Sequence, residues 1–433
     1  MDMIRESARD LPVAGEADVL VVGGGVAGIA AAVAARRAGA ARVILIEKSI
    51  VLGGLATLGH VCVYLPIDDG VGNRIYGGLA EELLHRCCRY GFHTLPACWT
   101  PGVGHVEEPD GRYAAYFNIP AAVYAFDELM DEEGVQVVFD TAFCAPLMEG
   151  KTCRGVAVEN KSGRSAYLAK VFIDASGDAD LLFRAGAPCR EGDNTPVHWS
   201  YEIDLDSAAR AAADRDILSA VGLRWVEMPY SEKYAGIRPE DIPKFHGTSS
   251  EDVNAFIHLN RELAREYLQT TDPKRLTDLS LPLMPQYRTT RHLVGKTLFR
   301  AQQGVSDPRS VGCMIPSLAS PAPVSEFPYD ALIDAEIPNI AAAGRIVSVA
   351  DMAAWGVARA IPACVLSGEA AGTAAALAVR DSCALQDLDV PALQRTLAAA
   401  GVVIHMDEAM RENQDKPSKP KGSFTSAVRR AGR

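Results

Sequence analysis

Apolar residues near the start of the chain form short runs typical of buried strands and a longer alanine-rich stretch typical of a helix. The run Asp18-Val-Leu-Val-Val22 predicts a first strand, the stretch from Gly28 to about Gly39 predicts a helix, and Arg42-Val-Ile-Leu-Ile46 predicts a second strand. Because parallel strands need a crossover connection, strand, helix and strand in this order predict a βαβ unit.

The same pattern predicts further elements along the chain. Helical spacing of apolar residues indicates helices over 78–90, 119–133, 251–269 and 362–380. Short apolar runs indicate strands over 135–139, 153–158 and 166–173. In the helix over 251–269, the side chains predicted to face inward are Val253, Phe256, Ile257 and Leu263.

The composition of the chain changes after residue 187, where aromatic residues and prolines are scattered, and buried α/β character returns with Asn339-Ile-Ala-Ala-Ala-Gly-Arg345. We therefore predict an α/β fold in which a Rossmann-like nucleotide-binding domain, discontinuous in sequence, carries an inserted α+β cap domain for the substrate. The predicted parts are a first nucleotide-binding segment at 15–186, the cap at 187–333, a return segment at 334–404 and a flexible polar tail at 408–433.

Composition and charge narrow the class of protein. A chain of 433 residues, of which 48% are hydrophobic, can bury a large core. Its formal net charge of -12 gives no long-range positive field, so nucleic acid and membranes are not expected as partners. The ten cysteines show no CxxC spacing and none of the nine histidines pairs with them, so no metal site is predicted. Residues 1–17 lack an apolar run, which argues against a signal peptide and favours a cytoplasmic protein.

A glycine motif follows the first predicted strand. Gly23, Gly25 and Gly28 fit GxGxxG, in which glycines allow a tight turn, close approach of the backbone to a pyrophosphate, and close packing of helix on strand. The helix N-terminus that follows suits phosphate charge. Glu47 ends the second predicted strand, where a carboxylate can accept ribose hydroxyls. This context predicts a dinucleotide site, and the alternative is a glycine-rich turn that binds no nucleotide.

NAD and FAD share this fingerprint, and three other segments favour FAD. Gly53-Gly54-Leu55-Ala56-Thr57 brings bare backbone and a hydroxyl near a long extended ligand. The late return at Gly344-Arg345 fits a ligand that crosses a domain boundary. The helix after Pro362 carries small residues that permit close approach, and its N-terminus suits negative charge on a reduced flavin. Ordinary close packing is the alternative explanation for that helix.

Six segments together resemble a known family; they read VVGGGVAG, LIEKSIVLGGLATLG, IDASGDADLLFRAGA, YRTTRHLVG, PNIAAAGRIVS and PACVLSGEAAGTAAALA. The combination is similar to bacterial FAD-dependent oxidoreductases distantly related to the fumarate reductase and succinate dehydrogenase flavoproteins, over about residues 17–404. The resemblance implies a glutathione-reductase-type FAD fold of two domains, with the flavin ring at their interface.

By the same resemblance, FAD is held by three groups of residues. The adenosine and pyrophosphate end is expected to contact Gly23, Gly25, Gly28, Glu47, Lys48 and Ala142. The flavin side is expected to contact Gly54, Ala56 and Thr57. The second nucleotide strand and the ribityl chain are expected to involve Gly177, Asp178, Gly344 and Arg345.

A flavin reaction also needs a group that orients the substrate and an acid or base for the proton. Arg288 and Arg291 are predicted to lie on one side of a helical turn and to clamp a substrate carboxylate, with salt bridges between the domains as the alternative. Arg359, just before the helix that faces the flavin, is expected to meet the flavin or the substrate.

Candidate proton relays are His292, His60 and Tyr64, the last two just beyond the Gly53-Thr57 loop. A purely structural role is the alternative for each histidine, and covalent attachment of the flavin through His60 is conceivable. The segment Arg288-Thr-Thr-Arg291-His292 departs from the basic pattern of the family, and Asp351 stands where histidine is usual. These departures leave the acid and the base open.

A second GxGxxG does not follow any predicted strand, so a built-in NAD(P)H domain is not expected. This favours an FAD-dependent dehydrogenase or oxidase of a small organic substrate, with hydride transfer to flavin N5 and reoxidation by O2 or an external carrier. The alternatives are a fumarate-reductase-like reduction of an activated C=C bond, a non-redox flavoprotein, and an interaction protein with a degenerate pocket. The sequence leaves the substrate and the oligomeric state open.

Overall fold

The computed structural model describes residues 4, 8–66, 68–69, 73–95, 99, 114–228, 237–301, 304–314 and 324–412. Its helices are α1 (Val26–Arg37), α2 (Leu79–Cys87), α3 (Ile119–Glu133), α4 (Asp180–Arg184), α5 (Leu205–Asp214), α6 (Ser250–Gln269), α7 (Met352–Ala358), α8 (Ile361–Asp381), α9 (Val390–Ala399) and α10 (Glu408–Glu412).

Its strands are β1 (Val13–Val22), β2 (Val43–Ile46), β3 (Val63–Tyr64), β4 (Ala115–Tyr116), β5 (Gln136–Val138), β6 (Ala142–Glu149), β7 (Thr152–Asn160), β8 (Gly163–Asp174), β9 (Cys189–Glu191), β10 (Val197–Asp204), β11 (Gly222–Glu227), β12 (Leu276–Ser280), β13 (Arg291–Leu293), β14 (Ser310–Met314), β15 (Ser325–Pro328) and β16 (Ile340–Ala342).

A seven-stranded sheet forms the centre of the fold, with the order β5-β2-β1-β8-β7-β6 and with β16 beside β8. The strands β5, β2, β1, β8 and β16 run parallel, whereas β6, β7 and the first half of β8 form an antiparallel meander. Val22 of β1 lies opposite both Ile46 of β2 and Asp174 of β8. The carboxyl ends of these strands therefore meet at one edge, where open parallel sheets bind their ligands.

Helices α1 and α8 pack on each other beside this sheet, and glycines allow the close approach. A Cβ atom on Gly368 would lie 2.2 Å from the carbonyl oxygen of Ala27, and one on Gly372 would lie 2.1 Å from that of Ala31. Larger side chains do not fit at these distances. Gly368 and Gly372 therefore allow close helix packing, which was the alternative explanation for the small residues of this helix. Within the described ranges, α8 is the helix long and apolar enough to cross a membrane, and its apolar stretch is completely buried in the fold.

A smaller antiparallel sheet has the order β11-β10-β12. Ser200 of β10 lies opposite Arg224 of β11, so both side chains face the same side. The guanidinium of Arg224 stacks over the ring of Tyr267, 4.6 Å from its centre, so α6 covers this side of the sheet. The opposite side carries Trp199 and Tyr201, because successive residues of a strand alternate between faces.

Most predicted elements are confirmed. The helices predicted over 119–133, 251–269 and 362–380 are α3, α6 and α8, each within one residue at both ends. The helix predicted over 78–90 ends earlier, at Cys87. In α6, Phe256 and Leu263 are buried as expected, whereas Val253 and Ile257 are only half-buried. The strands predicted over 135–139, 153–158 and 166–173 are β5, β7 and β8.

Two predicted segments differ from the structure in detail. The tail predicted from residue 408 begins as α10, in which Met410 is buried, and 413–433 lie outside the described residues. Part of the predicted cap packs in the core of the large sheet, since Val311, Cys313 and Phe327 are fully buried there. We propose on this ground that the return segment begins before residue 311 rather than at 334.

Candidate active site

The turn between β1 and α1 leaves no room for side chains at two glycines. Gly23 has a φ of 105°, a conformation that side chains rarely adopt, and a Cβ there would lie 2.4 Å from the carbonyl oxygen of Ala175. A Cβ on Gly28 would lie 1.9 Å from the carbonyl oxygen of Gly23. The end of β1, the start of α1 and the end of β8 are therefore packed backbone against backbone.

Gly25 differs from these two glycines, because no described residue has an atom within 4 Å of the Cβ that it would carry. It is the N-cap of α1, and no side chain from the described part of the chain caps the helix there. Backbone N–H groups at a helix start lack partners within the helix, and the helix dipole makes this end partly positive. Open space beside bare backbone and unpaired donors fits a diphosphate.

Glu47 ends β2 and is only 5% exposed. Its Oε2 accepts a hydrogen bond from the N–H of Gly24 at 2.6 Å, and its Oε1 accepts one from the N–H of Ser49 at 2.7 Å. Each carboxylate oxygen has a second lone pair, so Glu47 can hold the glycine turn and still accept a ribose hydroxyl. The expected neighbour Ala142 begins β6 close by, since the N–H of Thr141 donates to the carbonyl of Glu47. Lys48 is exposed.

The loop after Leu52 packs against the glycine turn. The N–H of Gly53 donates to the carbonyl of Gly24 at 2.8 Å, and a Cβ on Gly54 would lie 3.0 Å from the Cα of Gly25. Bare backbone at Gly54 therefore borders the open space beside Gly25. The hydroxyl of Thr57 instead donates to the carbonyl of Leu52 at 2.7 Å and is buried, as is Ala56. The expected approach of the Thr57 hydroxyl to the ligand has no support in this geometry.

Arg345 joins the end of β8 to the segment after the small sheet. Its Nε donates to the carbonyl of Gly177 at 2.5 Å, its Nη1 to the carbonyl of Tyr287 at 2.6 Å, and its Nη2 to the carboxylate of Asp178 at 2.7 Å. The structure therefore brings together Gly177, Asp178, Gly344 and Arg345, as the sequence predicts. The guanidinium of Arg345 therefore connects protein segments, and the N–H of Gly344 donates to the hydroxyl of Ser367 at 2.9 Å.

The match with known families decides what this site binds. The profile of the family described as FAD dependent oxidoreductase matches residues 18–199 and 318–397, more than half of the chain. The chain belongs to this family. Its cofactor is FAD, and the predicted α/β fold with an FAD-binding domain divided in sequence is confirmed. The open space at Gly25, the backbone of Gly54 and the carboxylate of Glu47 fit the adenosine diphosphate half of FAD.

Solved structures of flavoproteins are similar to this FAD-dependent oxidoreductase at low identity. p-Nitrophenol 4-monooxygenase from Pseudomonas putida DLL-E4 is 12% identical over 96% of this chain and 94% of its own, with a TM-score of 0.47. A geranylgeranyl bacteriochlorophyll reductase-like protein from Thermoplasma acidophilum is 14% identical over 96% of both chains, with a TM-score of 0.44. No curated protein matches the sequence.

The two arginines predicted to clamp a substrate are both held by carboxylates. The guanidinium of Arg288 forms a bidentate pair with Glu227, whose side chain is 3% exposed. Arg291 donates to Asp180 at 2.9 Å and stacks over the ring of Phe183. The predicted helical turn is wrong, because Arg291 begins β13 and Arg288 precedes it in irregular chain. These contacts favour the alternative, in which both arginines join segments of the protein.

Two of the candidate proton relays, Tyr64 and His292, contact backbone carbonyls of the protein. The hydroxyl of Tyr64 donates to the carbonyl of Ala80 at 2.5 Å, and burial raises its pKa well above the ordinary value. His292 is buried, its Nδ1 lies 2.7 Å from the carbonyl of Leu293, and its ring meets that of Trp355 edge to face. Burial lowers the pKa of His292. Both residues fit a structural role, the alternative considered for the histidine.

His60 has the strongest claim among the candidates. It is 5% exposed, with a φ of 56°, and its ring stacks on that of Tyr201 at 5.7 Å. Its Nε2 lies 3.5 Å from the hydroxyl of Ser280, and its Nδ1 is buried without a hydrogen-bond partner among the described residues. Burial lowers its pKa below the ordinary value of 6.5. His60 is therefore a neutral base at neutral pH, close in sequence to the FAD loop.

Arg359 precedes α8 and differs from the other arginines of the site. Its guanidinium makes no ion pair or side-chain hydrogen bond within the part of the chain that the structure describes. Burial and, after it, the charge of Arg288 lower its pKa to about 10, although Glu227 opposes the shift. Arg359 keeps some contact with solvent and stays cationic at neutral pH. An unpaired cation in this position is open to an anion.

No sequence motif marks Glu227 or Tyr116 as site residues. Glu227 forms an ion pair with Arg288, although the two residues are far apart in sequence and Glu227 belongs to no motif. The hydroxyl of Tyr116, on β4, is buried without a partner in the described chain, and burial raises its pKa. Only the pairing of β3 with β4 brings it near the loop after Thr57. A lone acidic or aromatic residue gives no local signal of such contacts.

Proposed function

We propose that this FAD-dependent oxidoreductase dehydrogenates a small organic anion, and that O2 or an external carrier takes the electrons. The observation that supports this most is the unpaired guanidinium of Arg359 at the start of α8. FAD, when bound, accepts a hydride at flavin N5 and so supplies the redox chemistry that amino-acid side chains lack. The protein must then orient the substrate and remove a proton.

Arg359 orients the substrate in this proposal. A guanidinium binds a carboxylate through two parallel hydrogen bonds, and partial burial strengthens them because water competes less. The helix α8 begins two residues after Arg359, at Ile361, and no side chain of the described residues caps it, so its N-terminal dipole adds positive potential. Arg288 and Arg345 stand nearby and are paired with carboxylates. Of these three arginines, Arg359 is thus the one that no carboxylate of the described residues pairs with.

His60 removes the proton in this proposal. Oxidation of an alcohol or amine carbon requires a base for the O–H or N–H proton, and a buried neutral imidazole with a free nitrogen can take it. The depressed pKa keeps His60 unprotonated at neutral pH. Activity should therefore fall only when the pH drops below the ordinary histidine range. Covalent attachment of the flavin to His60 would remove this base and is not part of the proposal.

A second candidate is reduction of an activated C=C bond, as the distant resemblance to fumarate reductases implies. The lowered pKa of Arg359 favours it, because a guanidinium that loses its proton more readily is a better acid toward carbon. Arg359 would then give the proton, and His60 would have no role in the proton transfer.

The test is an anaerobic screen of small hydroxy and amino carboxylates, read by bleaching of the oxidised flavin. Arg359→Met should raise the KM of the active compound about 100-fold and leave FAD content unchanged, since a hydrogen-bonded ion pair is lost. The matched control is Arg300→Met at an exposed position, which should leave KM unchanged. Equal KM values for wild type and Arg359→Met would overturn the assignment. Rapid reoxidation of the reduced enzyme by an enoate would favour the second candidate.

A further inference from the structure

The side chain of Gln286 forms hydrogen bonds to the backbone around His60. Its Oε1 accepts from the N–H of Trp199 at 3.0 Å, and its Nε2 donates to the carbonyl of Gly59 at 2.5 Å and to the carbonyl of Trp199 at 3.3 Å. Gln286 is 4% exposed, so water competes little for these bonds. Because one acceptor and two donors of the amide are paired, the orientation of the side chain is fixed.

Both carbonyls that accept from Gln286 lie beside His60. The carbonyl of Gly59 belongs to the peptide bond that precedes His60, a residue with a φ of 56°. Residues other than glycine rarely adopt this left-handed conformation, so the surrounding contacts must hold it. The carbonyl of Trp199 acts on the imidazole itself, because it opposes the lowering of the pKa of His60 by burial. Gln286 therefore fixes the backbone that carries the ring and a carbonyl that interacts with the ring.

The segment that carries Gln286 also contacts the FAD cradle. On one side, the N–H of Leu283 donates to the carbonyl of Leu58 at 2.8 Å, in the loop that leads to His60. On the other side, the carbonyl of Tyr287 accepts from the Nη1 of Arg345 at 2.6 Å. Residues 283–287 thus connect the loop of His60 with the end of the sheet at which FAD binds.

We propose that Gln286 is a positioning residue that orients the imidazole of His60 for proton transfer. This rests on the proposed function, in which His60 is the base, and it names the residue on which that base depends. The other contacts of the ring are long, since it stacks on Tyr201 at 5.7 Å and lies 3.5 Å from the hydroxyl of Ser280. A general base must lie within hydrogen-bond reach of the proton that it removes, and a shift on the order of 1 Å is costly. Gln286 acts through His60 and needs no contact with the substrate.

The test is a double-mutant cycle in the FAD-loaded enzyme, with the hydroxy or amino carboxylate that bleaches the flavin as substrate. His60→Asn removes the base and keeps the backbone, because asparagine tolerates a positive φ, and it should lower kcat about 100-fold. Gln286→Leu should lower kcat about tenfold or more and leave KM and FAD content unchanged. In the double variant, Gln286→Leu should add no further loss, because its effect passes through His60.

Gln386→Leu is the matched control, because Gln386 also donates to two backbone carbonyls, both at 2.8 Å and both in another segment. It should leave kcat unchanged. Additive losses in the double variant, or the wild-type kcat in Gln286→Leu, would overturn the role of Gln286. If Gln286→Leu fails to fold, Gln286→Glu keeps the shape of the side chain and loses an N–H donor. It should lower kcat in wild type and have no effect in His60→Asn.

A measurement without substrate separates this inference from the proposed function. In enzyme labelled with ¹⁵N-histidine, the ring resonances of His60 are assigned by their absence in His60→Asn. They should shift in Gln286→Leu and stay in place in Gln386→Leu, and unchanged resonances in Gln286→Leu would overturn the positioning role. If they shift but His60→Asn keeps the wild-type kcat, Gln286 still orients the ring, and only the assignment of His60 as the base is wrong.

Discussion

The FAD cradle at the edge of the large sheet and the small sheet under α6 are built differently. In the cradle, polar groups find protein partners, as Glu47 and Arg345 do with backbone and side-chain groups. Under α6, buried atoms of His198, Ser200 and Asn260 have no partner within the described residues. Both regions are buried, so exposure does not explain the contrast.

The two regions differ in how many of their buried polar groups are hydrogen-bonded within the protein. A cradle that is fixed before FAD arrives binds it without reordering, because its donors and bare backbone are already in place. The polar atoms under α6 are instead buried without a partner among the described residues, which costs free energy of folding. The cradle therefore suits a resident cofactor, whereas the small sheet gives up stability.

The largest expected effect is on stability, and it should distinguish two glycines of the same motif, Gly28 and Gly25. Gly28→Ala should lower the free energy of unfolding of the FAD-free protein by about 3 kcal/mol or more, because the new methyl group meets the carbonyl of Gly23. Gly25→Ala should lower that free energy by only about 1 kcal/mol, because its Cβ enters open space and the cost is limited to a poorer N-cap residue. It should nonetheless weaken FAD binding at least about tenfold, because the same space is needed by the diphosphate.

Urea unfolding without FAD and titration with FAD separate the two effects. Gly356→Ala in α7, where a Cβ also meets no atom of the described residues within 4 Å, is the control and should not change FAD affinity. An FAD affinity unchanged in Gly25→Ala would place the diphosphate elsewhere.

The next effect, on the order of a few kcal/mol, is a pH dependence of stability that comes from a buried carboxyl beside the large sheet. Burial raises the pKa of Glu369 on α8 to about 8, although the N–H of Leu79 donates to it at 2.9 Å. The folded protein keeps a proton that the unfolded chain loses above its ordinary pKa of 4.5. The stability of the wild type should therefore fall as the pH rises from about 5 to 8.

Glu369→Gln should remove that part of the fall, since glutamine does not ionise and still accepts a hydrogen bond. Urea unfolding of both proteins at pH 5.5 and 8 measures it, and the difference between them cancels other titrating groups. Equal slopes for the two proteins would show that Glu369 ionises normally.

The smallest expected effect on stability comes from replacing a buried serine by alanine, once beside the large sheet and once in the small sheet. The hydroxyl of Ser367 accepts from the N–H of Gly344 and donates to the carbonyl of Cys364, both at 2.9 Å, so Ser367→Ala should cost about 1 kcal/mol. The hydroxyl of Ser200 is buried without a partner in the described chain, so Ser200→Ala should be neutral or stabilise by up to about 1 kcal/mol. Thermal or urea unfolding tests both. A similar loss in both variants would mean that water already satisfies Ser200.

Local patterns allowed most of the fold near FAD to be predicted. The strand, glycine turn and helix around Gly23, Gly25 and Gly28 are consecutive in sequence, and Glu47 follows one strand later, so spacing alone places them together. The candidate catalytic residues could not be predicted in this way. Arg288 and Arg291 carry the charge that a clamp needs, but Glu227 and Asp180 neutralise them from other segments. Tyr64 lies near the FAD loop in sequence, yet its hydroxyl donates a hydrogen bond to the carbonyl of Ala80 in α2.

The sequence by itself determined the βαβ unit, the glycine motif and the membership of an FAD-binding family, because these depend on residues close together in the chain. Only the tertiary structure decided which charged and polar groups remain unpaired. Whether Arg359, His60 and Asn260 have partners depends on side chains that folding brings from distant segments. Since pairing determines which groups can act on a ligand, the site emerges from contacts that sequence spacing does not record.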